Sequence, residues 1–261
     1  MKSKLLLCSI MLLFLAFSAR GQDRKLKFLF VESGADFLDC EEPEKDYMRS
    51  DIDPLWSYYA TDGVRSLCYT EHFGIRLEYR MLKNKLGISS GLRYTRMFSS
   101  IGKTSYWTDS PEFFYIRYRM DATSTEYAKV YGLSQKATYL EVPLEFRIYP
   151  YSDYPVNVYY KAGVSFAYNI ASRSAVDFYE APMESYEAEV AAVIEDPSRY
   201  YGTFHLGIGL KIGKLSKPGL VLEANVPVAI AVPDKACFVK PQTGAGFQIM
   251  VRVPLTKNEK K

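Results

Sequence analysis

Histidine is almost missing from this chain: only His72 and His205 occur in 261 residues. Metal centres and acid–base catalysis draw on histidine more than on most side chains, and no paired histidine or cysteine spacing of the zinc-site kind appears. Cysteine is also scarce, at four residues. Long apolar runs are absent beyond Phe17, so no membrane helix is expected after that point. An excess of one charge is absent too. The chain holds 33 basic and 30 acidic residues, and Lys2, Lys4 and Arg20 fall in a leader with no acids. Without that leader 30 bases face 30 acids, and no basic stripe of the kind nucleic acid requires is present.

The leader itself reads as an export signal. Lys2 and Lys4 precede the apolar run Leu5–Phe17, and small residues at Ala19 and Gly21 follow. This pattern predicts a signal peptide over residues 1–21, cut after Gly21, and one domain over 22–261. Cys40, Cys68 and Cys237 then remain for an oxidising compartment. Cys40 and Cys68 fall in one connection; pairing and free thiols both stay open.

Aromatic residues are abundant, with 22 tyrosines, as expected where rings line membrane interfaces. Strict alternation recurs along the chain. In Tyr139–Tyr149, Leu140, Val142, Leu144, Phe146 and Ile148 share one face, and Glu141, Glu145 and Arg147 the other. Period two is a strand, because a helix would mix the two sets. His72–Met81 and Thr203–Gly213 repeat the pattern, and Leu86–Phe98, Val156–Tyr168, Leu220–Val232 and Ala245–Leu255 follow it less cleanly. Lys27–Phe37 is apolar without clean alternation. These runs exceed the usual five or six residues of a globular strand and suit a tilted strand crossing a bilayer.

Short and long connections alternate. Lys83–Lys85, Pro150–Tyr154 and Lys214–Gly219 are brief, whereas 38–69, 99–137, 171–200 and 233–242 are long. The expected fold is therefore all-β: an eight-stranded antiparallel up-and-down transmembrane β-barrel in the outer membrane, with long extracellular loops. Phe113–Met120 is read as part of a tall hairpin in the second of these loops.

The alternation sends Arg76, Glu78, Arg80, Arg93, Glu141, Glu145, Arg147, Lys161, Lys211, Glu223 and Arg252 inward. An interior of this width is filled by side chains, so ion pairs closing it are expected, with a narrow channel as the alternative. No catalytic, cofactor-binding or metal-binding residue is assigned. His72 and His205 read as interior polar residues near the outer rim; an enzyme acting on lipid or peptide there is the other reading. Outside, the first and third long connections are acidic, and Pro182–Ile194 can form a short helix. The second carries Tyr106, Trp107, Phe113, Phe114, Tyr115 and Tyr118, which either meet a protein or glycan partner or pack on themselves. Outer-membrane lipid is the expected surrounding partner; nucleic acid is not one.

The strand Tyr139-Leu140-Glu141-Val142-Pro143-Leu144 resembles one in PorT-like outer-membrane barrel proteins of Bacteroidetes, and the start at Gln22 after the leader is similar. The resemblance implies an eight-stranded barrel in the outer membrane; one member of that family supports the type IX secretion pathway. The leading expectation for function, read from the residues, is a non-enzymatic barrel whose surface loops serve binding or assembly. The layout makes a direct test available. Single cysteines at Ser110 and Ser185 should be labelled on intact cells by a membrane-impermeant maleimide, and one at Ser152 should not; the reverse pattern would invert the topology.

Overall fold

The computed structural model describes residues 26–41, 48–49, 65–102, 113–121, 123–151, 154–231 and 239–255. The leader, the expected cut after Gly21, Tyr106, Trp107 and Cys237 lie outside the described residues. Ten strands are present: β1 (Leu26–Glu41), β2 (Met48–Arg49), β3 (Arg65–Met81), β4 (Leu86–Gly102), β5 (Phe114–Met120), β6 (Thr125–Ile148), β7 (Val156–Phe178), β8 (Tyr200–Ile212), β9 (Gly219–Ala231) and β10 (Lys240–Pro254). They form a single antiparallel sheet in the order β2-β5-β6-β4-β3-β1-β10-β9-β8-β7, with a further pairing of β6 to β7.

Ten strands correct the expected eight, and the up-and-down order is broken at β6. That strand is 24 residues long and borders three others. Its segment Gly132–Ile148 pairs with β4, Thr125–Val130 pairs with β5 on the same edge, and β7 runs along the opposite edge. The hand-over occurs at Gly102, where β4 ends at φ +126°. A Cβ there would lie 2.4 Å from the Tyr131 carbonyl oxygen, so glycine is what allows β4 to turn away and β5 to take its place. Phe113–Met120 therefore supplies a strand of its own. Phe114 and Ile116 are buried on one face and Tyr115 and Arg117 lie on the other, the same alternation that built the longer strands.

Register sets the tilt. Following direct partners from Thr138 runs through Arg96, Glu71, Ala35, Phe247, Ala224, Ile208 and Tyr160 and returns to β6 at Ile148. Ten residues of slip around eight spacings incline the strands by about 41°. On β7 the outward residues Val156, Val158, Tyr160, Val164, Phe166 and Tyr168 are all exposed. Val156 to Tyr168 covers about 40 Å of strand, hence about 30 Å of height at that tilt. Phe73, Ile75 and Leu77 of β3, Leu206 and Ile208 of β8, and Phe247, Ile249 and Val251 of β10 continue the same exposed apolar surface.

Beyond that surface the long connections are more ordered than loops. The expected loops 99–137 and 171–200 contain the end of β4, all of β5, the first turns of β6 and the end of β7. A 3₁₀ turn (Ala181–Tyr186) and a helix, α1 (Glu187–Ala191), follow β7. Met48, Phe114, Ile116, Ala128, Val130, Val190 and Ile194 form a dry core for this extension. Arg119 of β5 clamps Glu189 of α1 with two hydrogen bonds of 2.6 and 2.7 Å. At the β5–β6 tip the Asp121 carboxylate accepts the backbone N–H groups of Thr123 and Ser124, which hold its pKa down at about 2.

Glycines determine how closely the walls approach. A Cβ on Gly91 would meet the Ile75 carbonyl oxygen at 2.0 Å and Arg76 Cα at 2.7 Å, both backbone atoms that cannot swing aside. At Gly202 the nearest atom would be 3.7 Å away. Gly91→Ala should therefore cost about 1–3 kcal/mol or more, read as an earlier urea midpoint for loss of the compact, heat-modifiable gel band. Gly202→Ala should leave that midpoint close to wild type. Equal midpoints for the two variants would disprove the close approach.

Candidate functional site

Side chains on the inward face fill the space that the sheet encloses, in layers. Phe28, Phe30, Tyr149, Tyr159, Val221 and Met250 form an apolar layer toward the short turns. Leu38, Met97, Ile101, Leu133, Ala137, Tyr139 and Tyr201 form another toward the extension. Buried charge fills the space between them and reaches into the first, where Arg80 and Arg252 stack on Phe28. Glu32, Arg76, Glu78, Arg80, Arg93, Glu141, Glu145, Arg147, Lys161, Lys211, Glu223 and Arg252 are all buried.

Glycine creates the room for these long side chains. Gly74 lies between Glu32 and Arg93 in one cross-strand row, so Arg93 reaches over it to bring Nε within 2.5 Å of Glu32. A Cβ on Gly74 would stand 2.8 Å from Arg93 Cγ. Gly209 gives the same clearance to Tyr159, whose ring would lie 2.2 Å from an added Cβ. Arg93 and Tyr159 fit in a tilted wall of this circumference because a cross-strand neighbour of each has no side chain.

Glu145 sits at the hub. It is paired with Arg76, with Arg147 Nη2 at 3.0 Å, with Lys161 Nζ at 3.4 Å and with Arg93 Nη2 at 3.4 Å, and His205 Nε2 lies 3.2 Å away. Each cation in turn bridges carboxylates from different strands. Arg76 Nε is 2.5 Å from Glu32; Arg93 adds Glu141 at 3.1 Å; Arg147 adds Glu78 at 2.9 Å and Glu223 at 2.8 Å; Lys161 adds Glu223. Tyr149 and Tyr159 donate their hydroxyls to Glu78 and Glu223, and Gln248 Nε2 donates to Glu32 at 2.7 Å. Arg80 completes the Glu78 group at 2.5 Å. Two further inward residues expected from alternation lie toward the short turns. Arg252 donates to the carbonyl oxygens of Gly213, Lys214 and Lys217 in the β8–β9 turn, and Lys211 is buried near that same end.

Alternation missed Glu32, which pairs with two arginines. In β1 both faces are apolar, because Phe28 and Phe30 point inward while Leu29 and Val31 point outward. Parity counted from Phe28 through Phe30 to Glu32 is the signal that finds it. The histidines, on β3 and β8, share a cavity of about 50 Å³ with Asp36, Thr95, Glu141 and Tyr201. His72 Nδ1 is 3.9 Å from Asp36 there. Among the described residues no group of three or more His, Cys, Asp or Glu is placed to hold a metal. Cys40 Sγ meets Ser66 Oγ at 3.3 Å, and Cys68 is buried.

No family model and no curated protein matches the chain. Among solved structures it is similar to outer membrane protein OprG of Pseudomonas aeruginosa, at 10% identity over 88% of this chain and 96% of that one, with a TM-score of 0.46. The N-terminal β-barrel domain of OprF from the same organism aligns at 8% identity over 87% and 96%, TM-score 0.36. Ail of Yersinia pestis aligns at 10% identity over 88% and 99%, TM-score 0.35. This likeness does not single out the PorT-like family.

A fully buried carboxylate among several cations cannot be removed without stranding charge. Glu145→Ala leaves Arg76, Arg147 and Lys161 short of a partner, a loss of about 3–5 kcal/mol where water is excluded. The exposed Glu187→Ala change on α1 should stay within about 0.5 kcal/mol of wild type. Urea titration followed by the heat-modifiable gel shift measures both, and similar midpoints would contradict the hub assignment.

Proposed function

We propose that the chain is an integral outer-membrane protein whose sheet is a sealed scaffold and whose outside extension is a non-enzymatic binding surface for a protein or glycan. The observation that carries this reading is the contrast between the two faces of the sheet. The outward face is exposed, apolar and about 30 Å tall, which suits hydrocarbon, and the inward face is a cross-linked layer of charge between two apolar layers. Such an outward face would be a severe aggregation liability in water. Among the described residues the inward charges are buried, which argues against a wide aqueous path, and the cavity of about 50 Å³ beside the histidines is too small for a lipid chain or a peptide.

The extension favours recognition. Lys129 Nζ lies 3.7 Å from the Phe113 ring centroid and 3.6 Å from that of Tyr179. Tyr115 and Tyr131 pack edge-on or tilted beside them, at 5.6 Å from Phe113 and 5.0 Å from Tyr179. Rings held in this way offer stacking surfaces at low entropic cost. Phe114 is buried and Tyr118 packs on Tyr186 at 5.9 Å, so those two hold the extension together. Assembly of a secretion pathway is the particular form of this role that the PorT-like strand suggests.

The protein should resist alkaline carbonate extraction from membranes and show no large steady conductance in planar bilayers. Release by carbonate would remove the membrane reading. A stable open current would remove the sealed scaffold.

A further inference from the structure

Two cations occupy directly opposed strand positions on the outward surface just above the apolar belt. Lys136 of β6 is the direct partner of Arg173 of β7, and both side chains are exposed. Like charges directly opposite on neighbouring strands repel, and an anion between them converts that cost into two charge-assisted contacts. The same cross-strand row continues through Phe98, Tyr69 and Phe37. Tyr69 and Phe98 stack at 4.8 Å, Phe37 follows at 6.4 Å, and Lys136 Nζ leans over Phe98 at 5.1 Å. The cations thus stand at the end of an aromatic row of the type that marks a membrane interface.

One row closer to the belt, Arg96 is exposed between its partners Glu71 and Thr138 and lies 5.4 Å from the Tyr94 ring. Arg96 also borders a groove of about 640 Å³ on the outer surface. The groove exists because β1 presents only Ser33 and Ala35 outward where its neighbours present Phe73 and Phe247. A groove walled by Phe37, Phe73, Tyr94, Phe247 and Ile249, with Arg96 beside Glu71 at one end and two more cations above it, matches a molecule with a phosphate at the headgroup level and hydrocarbon below.

We propose that this face binds a phosphorylated glycolipid of the outer leaflet, with its phosphate bridging Lys136 and Arg173 above Arg96 and an acyl chain in the groove beside β1. The proposal rests on the outer-membrane reading above. The test uses the full-length protein in detergent micelles, titrated with lipid A and with its enzymatically dephosphorylated form and followed by native mass spectrometry. Lipid A should bind, and the Lys136→Gln/Arg173→Gln double variant should bind it roughly tenfold more weakly. Ala35→Trp, which fills the groove, should weaken it too, and Lys214→Gln at the opposite end should not. Equal binding of the dephosphorylated lipid, or an unaffected double variant, would overturn the site. Competition by inorganic phosphate at equimolar concentration would assign the cations to free phosphate and overturn the lipid assignment. A protein that is washed from membranes by carbonate fails the membrane reading itself, whereas one that stays integral but ignores the phosphate fails only this proposal.

Discussion

Glu145 has no access to water, and a carboxylate in that position persists only if cations surround it. Arg76, Arg93, Arg147 and Lys161 do so from four directions, on β3, β4, β6 and β7. Each of them also needs more than one anion, which draws in Glu32, Glu78, Glu141 and Glu223. The consequence is mechanical. Strands that are hydrogen-bonded only to their neighbours become tied across the enclosed space, so the sheet behaves as one body. The desolvation cost of so many charges is large, and it is offset by the number of contacts each ion makes. No single pair in the layer would stand alone.

Space is the second constraint. With about 41° of tilt the wall encloses little more than its own side chains. Arginine and tyrosine fit where the neighbouring inward position is glycine, as at Gly74 beside Arg93 and Gly209 beside Tyr159. Apolar layers above and below then exclude water from the charged layer and strengthen its interactions. The same tilt sets how tall the outward apolar surface is, so packing inside and the height of the apolar face outside share one geometric cause.

Outside the belt the sheet continues with a different logic. β6 exchanges β4 for β5 at Gly102, and the inward direction of Ala128 and Val130 becomes the core of the extension. Contacts such as Arg119 with Glu189 join segments 70 residues apart. They hold the aromatic surface around Lys129 in place, over an apolar core continuous with the layer around Tyr139 and Tyr201.

Much of the inward charge was legible in the residues, because period two assigns every second side chain to one face whatever the partner strand is. Arg76, Glu78, Glu141, Glu145 and Arg147 lie in strands that alternate cleanly, and all are buried. Alternation fails for Glu32, where both faces of β1 are apolar, and it says nothing of which arginine meets which carboxylate. Partners depend on register, and register depends on slip accumulated around the whole sheet. The strand count also escaped local reading. β5 is short, and whether Phe114 and Ile116 make a loop or a strand depends on β6 offering an edge, which it does only because β4 stops at Gly102. The chain by itself determined which side chains face in and which face out, since that follows from local backbone geometry. The tertiary structure alone decided that His72 and His205 share a cavity, that Lys136 opposes Arg173, and that Glu145 is the hub, since these need strands far apart in sequence to be set side by side.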